Sequence, residues 1–313
     1  MARVVTPRSF LYAPGDRPEL FEKAMRSGAD GVVLDLEDSV LPGEKTTALQ
    51  HVVEFLSDHD SRSTDTELWV RVNNRSGLLE EELSALAGSE HLAGVSLPKV
   101  ESPVDLDRLD QMLPDHVGVL GLVESASGVA AVLTIASHPR VRRLGLGEAD
   151  LIADLRMTPS DDRLELMTIR VNVVVASAAA GIDQPTGPAF IDIGDEAGLV
   201  RSSEELRRLG FGGRSAIHPN QVDVLNRVFS PTRYEIEQAE ELVRSMADAT
   251  ERKTGVFVDA RGKMVDEAVM RDARQTLEAA TKLGLRGGQG SEDELSDRTG
   301  SRPETNLPRK GKK

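Results

Sequence analysis

Gly31-Val32-Val33-Leu34-Asp35-Leu36-Glu37-Asp38 joins a short apolar run to three acids within four residues. A run this short, rich in Val and Leu, reads as a strand buried on both faces, the pattern of a parallel sheet covered by helices. Seven further runs repeat the unit: Phe10–Ala13 before it, then Leu68–Val72, Val95–Val100, Val117–Val123, Val141–Leu146, Pro188–Ile193 and Arg214–Ile217. Helical patterns separate them. Pro18–Met25 has Asp16 as its expected N-cap and Pro18 in its first turn, and a longer apolar helix is expected over Asp161–Ala180. Alternating strands and helices predict βα units and a parallel sheet. Eight such units favour a closed barrel over an open doubly wound sheet, which has fewer strands and a Gly-rich first turn; no G-x-G-x-x-G follows the first run. The predicted fold is α/β, a (β/α)8 TIM barrel over residues 1–230.

The pattern changes beyond Pro231. Helical periodicity covers Tyr234–Thr250, an extended piece spans Gly255–Val258, and a second helix follows near Asp266–Leu283. We read residues 231–284 as a C-terminal helical extension, an oligomer contact or lid. Residues 285–313 read as a disordered tail, because Gly, Ser, Glu, Asp and Pro dominate there without an apolar period.

Composition narrows the function. Of 313 residues 39% are hydrophobic but only 3% aromatic, so the core is aliphatic. A net charge of −14 argues against nucleic acid or an anionic membrane as partner. The absence of cysteine excludes disulfides, thiolate metal sites and a Cys nucleophile. No apolar run approaches the ~20 residues of a membrane span, and the N-terminus lacks the apolar stretch of a signal peptide. The expected location is the cytoplasm.

In a barrel of this kind chemistry sits at the C-terminal ends of the strands, and polar residues collect there. Asp35, Glu37 and Asp38 follow the second run, Arg71 and Asn73 the third, Lys99 the fourth, and Glu124 and Ser125 the fifth. Glu148 and Asp150 follow the sixth run, Asp192 the seventh and His218 the eighth. Any one of them could be a helix N-cap, but capping does not recruit Arg, Lys and Glu together. Glu124 and Asp150, on neighbouring strands and without His or Cys nearby, suit a hard oxygen-loving cation; the alternative is a pair of capping or salt-bridged acids. Arg71, inside an apolar run, needs an anionic partner: either a substrate carboxylate or enolate, or a structural ion pair with Glu37 or Asp38. Lys99 after Pro98 could merely close a loop, and His218 could be structural.

Several stretches resemble the citrate lyase β-subunit family of the aldolase/citrate lyase superfamily. They are Tyr12-Ala13-Pro14-Gly15-Asp16-Arg17-Pro18, Gly28 to Asp38, Val70-Arg71-Val72-Asn73, Leu97-Pro98-Lys99-Val100-Glu101-Ser102 and Leu122-Val123-Glu124-Ser125. Gly147-Glu148-Ala149-Asp150-Leu151, Leu209 to Pro219 and Gly262-Lys263-Met264-Val265-Asp266 complete the set, in order over about residues 8–283. The resemblance implies Mg2+ on Glu124 and Asp150. It implies catalytic roles for Arg71, Asp266, Glu37 and Asp38, and substrate contacts from Arg71, Asn73, Lys99, Arg17 and Asp35. Asp266 would be offered to a neighbouring subunit's site, so the partners expected are other copies of the chain, a homotrimer or larger. The implied substrate is a hydroxy-acyl thioester such as malyl-CoA, citramalyl-CoA or citryl-CoA, or its acyl-carrier equivalent, and the implied reaction is carbon–carbon cleavage. A thioesterase on the same site, a subunit of a citrate lyase complex, a non-catalytic scaffold and an aldolase for free keto acids are the alternatives. Ala48-Leu49 stands where relatives often carry Ala-Arg, a change that bears on contacts to a CoA phosphate.

Overall fold

The computed structural model describes residues 6–58, 65–75, 77–251, 257–258 and 264–286, with backbone alone at 247–251 and 257–258. Contacts divide the chain into two units, Met1–Ser230 and Pro231–Lys313. In the first, eight parallel strands close into a (β/α)8 TIM barrel in the order of the sequence: β1 (Ser9–Pro14), β2 (Gly31–Asp35), β3 (Glu67–Arg71), β4 (Gly94–Leu97), β5 (Gly118–Val123), β6 (Val141–Leu146), β7 (Thr186–Gly187) and β8 (Gly213–Ala216). The last strand pairs with the first, Ser9 opposite Arg214 and Leu11 opposite Ala216.

Two apolar layers hold it. One lies between strands and helices, built from residues such as Val32, Leu34, Val70, Leu83 and Leu109. The other plugs the lumen: Phe10, Val33, Trp69, Leu120 and Leu122, with Phe10 and Trp69 edge to face at 5.8 Å. Gly94 is required here, since a Cβ at that position would stand 2.1 Å from the Trp69 ring. Strand side chains alternate between faces. The residue two places beyond the last plug residue of each strand therefore points into the lumen one layer nearer the C-terminal rim. Those residues are Tyr12 after Phe10, Asp35 after Val33, Arg71 after Trp69 and Glu124 after Leu122. A periodicity of two thus sets polar groups on top of an apolar floor.

Three expectations are corrected. The seventh strand is Thr186–Gly187, and Pro188–Ile193 has no regular structure; Ile191 is 75% exposed. Its apolar residues mimic a strand, but strand identity comes from pairing, Thr186 with Gly145 on one side and Gly213 on the other. Asp16 caps nothing: a 3-10 turn at Pro18–Leu20 follows Arg17, and α1 covers only Phe21–Met25. The long apolar helix likewise starts late, with a 3-10 turn at Leu164–Leu166 before α8 (Met167–Ala180).

The second unit is a helical pair. Here α11 (Arg233–Glu251) and α12 (Glu267–Lys282) pack Ile236 and Ala239 against Ala273, Leu277 and Ala280. Phe257–Val258 pairs antiparallel with Met264–Val265. The tail expected from residue 285 lies outside the described residues from 287 onward. No described helix is long and apolar enough to cross a membrane.

Candidate active site at the C-terminal rim of the barrel

Asp35 and Arg71 end adjacent strands and are register partners. Their side chains meet as a two-pronged pair, Arg71 Nε to Asp35 Oδ1 and Nη2 to Oδ2, both 2.6 Å, in the fork geometry that guanidinium and carboxylate share. Nη1 of Arg71 lies 2.9 Å from Glu37 Oε2 and 3.5 Å from Asp38 Oδ2, and the guanidinium sits 5.2 Å above the Tyr12 ring. The backbone N–H groups of Glu37 and Ser39 donate to Asp35 at 2.9 and 3.2 Å. Burial alone would raise the Asp35 carboxyl, but its bonds from Arg71 and Ser39 outweigh burial and hold it below the usual carboxylate range. Burial likewise opposes the charge on Arg71, and the Asp35 bonds overcome it. Of the two readings left open for Arg71, the structure contains the ion pairs, and adds Asp35 as the main partner.

Lys99 extends this chain of charges. It follows β4 with φ at 50°, a left-handed conformation uncommon for a residue with a side chain. The Asn74 amide donates to the carbonyls of Pro98 and Lys99, closing the turn. The Lys99 N–H donates to Glu124 Oε1 at 2.9 Å, while Nζ is 3.1 Å from Glu37 Oε1 and 3.9 Å from Asp150 Oδ1. Glu124 is 5% exposed and packs so tightly on Gly147 that a Cβ there would stand 2.3 Å from its Oε2. Burial, with the charges of Asp150 and Glu37 adding to it, pushes the Glu124 carboxyl up to about 7 against the pull of Lys99. Burial also raises Glu37, more than Arg71 and Lys99 lower it.

Charge balance tests whether a cation fits. Among the described residues, Asp35, Glu37, Asp38, Glu124 and Asp150 share this arc with Arg71, Lys99 and Lys45, so negative charge is in surplus. Burial first, and then the charges of Asp150 and Glu37, disfavour Glu124 as an anion despite Lys99, and Asp150, about half exposed, leaves the group open to solvent. Among the described residues no group of three His, Cys, Asp or Glu forms a closed metal cage. Two carboxylates at an open rim match Mg2+, which keeps several waters and takes one or two protein carboxylates.

Other predicted positions have partners of their own. Asn73 is 3% exposed, and its amide donates to Leu36 O and Glu82 while its N–H donates to Glu82 Oε2. It braces the rim, with its amide hydrogens engaged within the chain. Arg17 is exposed and pairs with Glu19 at 2.5 Å. Asp266, in the second unit, caps α12, accepting from the N–H groups of Ala268 and Val269 at 3.0 and 3.1 Å. Ser125 caps α5 (Ala126–Ala130), and His218 Nδ1 accepts from Asn220 N, the structural roles weighed for them. Glu148, 2% exposed, is spent on Arg163 at 2.8 Å and Arg170 at 2.7 Å. It lines a cavity of about 710 Å3 with Arg170, Phe190 and Arg214.

The sequence reading passed over Tyr12, Lys45 and Glu82. Lys45 Nζ donates to the carbonyls of Leu36 and Glu37 at 2.7 and 2.6 Å, fixing the segment that carries Glu37. Glu82 left a signal: it stands in the buried stripe Leu79, Glu82, Leu83, Leu86 of α3 (Leu78–Leu86), where an acid needs a partner.

Residues 8–219, all within the first unit, match the HpcH/HpaI aldolase/citrate lyase family. The chain belongs to that family. Among its relatives, citrate lyase subunit beta of Escherichia coli strain K12 is 32% identical, over 90% of this chain and 95% of its own length. The mitochondrial citramalyl-CoA lyase of Homo sapiens is 32% identical, over 90% and 87%. A (3S)-malyl-CoA thioesterase of Cereibacter sphaeroides is 33% identical, over 90% and 96%. The CitE protein of Mycobacterium tuberculosis, solved in complex with magnesium, acetoacetate and coenzyme A, superposes with a TM-score of 0.72 at 29% identity, covering 88% of this chain and 98% of that one. Family members include lyases and thioesterases, and magnesium occurs in structures of its CitE members.

Proposed function

We propose that the chain is a Mg2+-dependent carbon–carbon lyase that cleaves a hydroxy-acyl thioester, of the malyl-, citramalyl- or citryl-CoA type, to an acetyl thioester and a keto acid. The observation that carries this reading is the negative surplus around Glu124 and Asp150, set beside a guanidinium locked in place by Asp35. Glu124 and Asp150 would hold the metal. When bound, Mg2+ would act as a Lewis acid toward the hydroxyl and carboxylate oxygens of the acyl group.

The remaining chemistry falls to side chains. Arg71 is held on one edge by Asp35, through Nε and Nη2, and at Nη1 by Glu37, so its position costs little reorganisation when negative charge grows on the thioester oxygen. Glu37, whose burial favours the protonated form, is suited to take the proton of the substrate hydroxyl at its carboxylate as the C–C bond breaks; Asp38, on the solvent side, passes that proton outward. Lys99 keeps Glu37 oriented. Asp266, supplied by a neighbouring copy as the resemblance implies, gives a proton to the enolate carbon, or removes one in the condensing direction.

A thioesterase on the same groups is the second reading, favoured by the (3S)-malyl-CoA thioesterase relative. One assay separates them. Purified protein with Mg2+ is given malyl-, citramalyl- and citryl-CoA, with an EDTA control. Acetyl-CoA plus keto acid, lost with EDTA, supports the lyase; free CoA with intact hydroxy acid replaces it with the thioesterase. Asp266→Asn keeps a helix-capping side chain and removes the acid, so it should lose turnover while still binding Mg2+ and thioester; full turnover would remove Asp266 from the mechanism.

A further inference from the structure

Lys99 touches both residues assigned to the metal, and by two different parts of itself. Its N–H donates to Glu124 Oε1 at 2.9 Å, and its ammonium stands 3.9 Å from Asp150 Oδ1 and 3.1 Å from Glu37 Oε1. The left-handed backbone at φ 50° makes the double contact possible: the chain turns back, so that N–H and side chain address the same carboxylate group. A non-glycine residue held there carries strain, which surrounding structure has to offset. The Asn74 amide on the carbonyls of Pro98 and Lys99, at 3.0 and 3.2 Å, is that restraint.

We propose that Lys99 is a resident counter-ion that competes with the divalent cation, so that one residue both orients a metal ligand and limits metal affinity. The inference rests on the reading that Glu124 and Asp150 hold the metal. The two halves of Lys99 work in opposite directions. The backbone N–H orders Glu124 without cancelling its charge. The ammonium places a positive charge within a few ångströms of Asp150, where it repels an incoming dication and satisfies the carboxylates that would attract it. Glu37 gives the ammonium somewhere to remain once Asp150 is engaged, because the 3.1 Å contact to Glu37 is already the shorter of the two. Lys99 therefore sets a threshold for metal binding and, once Asp150 is occupied, presents its charge on the Glu37 side of the site.

The test is Mn2+ affinity, read by electron paramagnetic resonance and calorimetry on the full chain without substrate. Lys99→Met and Lys99→Gly remove the ammonium. The second keeps the backbone N–H in a conformation glycine adopts freely, so it decides the matter if the first folds poorly. Both should bind Mn2+ about tenfold more tightly than wild type, and Lys99→Arg, which keeps the charge, should match wild type. Unchanged or weaker binding in Lys99→Gly overturns the proposal. So does unchanged Mn2+ affinity combined with a raised KM for the thioester, which would make Lys99 a substrate contact alone. Glu124→Gln and Asp150→Asn form the separate arm: if they retain Mn2+ binding, the metal assignment itself has failed, whatever Lys99 does.

Discussion

The arc from β2 to β6 and the flank from β6 to β8 both begin as charged residues after strands, yet they settle their charges in opposite ways. On the flank, Glu148 is enclosed by Arg163 and Arg170, Arg170 also reaches Glu205 at 2.8 Å, and Arg214 is held by Pro188 O, Ser202 and Ser203. Both acids are paired, Arg214 is held by neutral oxygens, and together these contacts tie α8 and α9 (Glu196–Leu209) to the barrel wall. On the arc, carboxylates outnumber cations, and Glu124 and Glu37 are left with raised pKa values. A strand-end charge therefore says little until its partners are counted. Matched pairs belong to the scaffold, and an unmatched surplus marks the place for a ligand.

Glu124→Gln and Asp150→Asn should produce the largest effect that separates the two regions. We expect Mg2+-dependent turnover to fall by roughly a thousandfold or more, with the urea midpoint nearly unchanged; retained activity would erase the distinction between arc and flank. Glu148→Gln should do the reverse. It leaves the buried Arg170 short of its counter-charge, and a loss of about 3 kcal/mol is expected from denaturant unfolding, with metal affinity close to wild type. A stable Glu148→Gln protein that no longer binds Mg2+ would place the flank in the site.

The smallest effect sharpens the comparison inside the arc. Burial pushes the Glu82 carboxyl up to about 7, more than its bonds from Asn73 pull it down. The folded chain thus holds a proton there that the unfolded chain has released above its ordinary carboxylate pKa. Stability should decline as pH rises from about 4.5 to about 7, by up to roughly 1.4 kcal/mol per pH unit from this residue, and level off beyond. Glu82→Gln should flatten that slope in unfolding curves across the window; an unaltered slope would mean that Glu82 does not titrate there.

Much of the arc could be read from the chain. Asp35, Glu37, Arg71, Lys99, Glu124 and Asp150 each follow an apolar run, and the lumen-facing members sit two residues beyond the apolar plug. Glu148 and Asp150 could not be told apart in this way, being two residues apart after the same strand. What separates them is the arrival of Arg163, just before the 3-10 turn, and of Arg170 from α8. The acid beside Asn73 was hidden for a similar reason: it comes from α3, and only packing brings the two together.

By itself the sequence determined the barrel, its strand order and the end of the barrel where the polar groups collect. Those features rest on local periodicity, two residues in strands and about 3.6 in helices, which each segment carries without reference to the rest. Tertiary structure alone decided that β7 is Thr186–Gly187, that Arg71 is clasped by Asp35, that Glu148 is neutralised and that Lys99 lies among three carboxylates. Each depends on strand register and on side chains separated by 15 to 62 positions along the chain. The strength of a charge's pairing depends on burial and geometry, and no spacing rule records either.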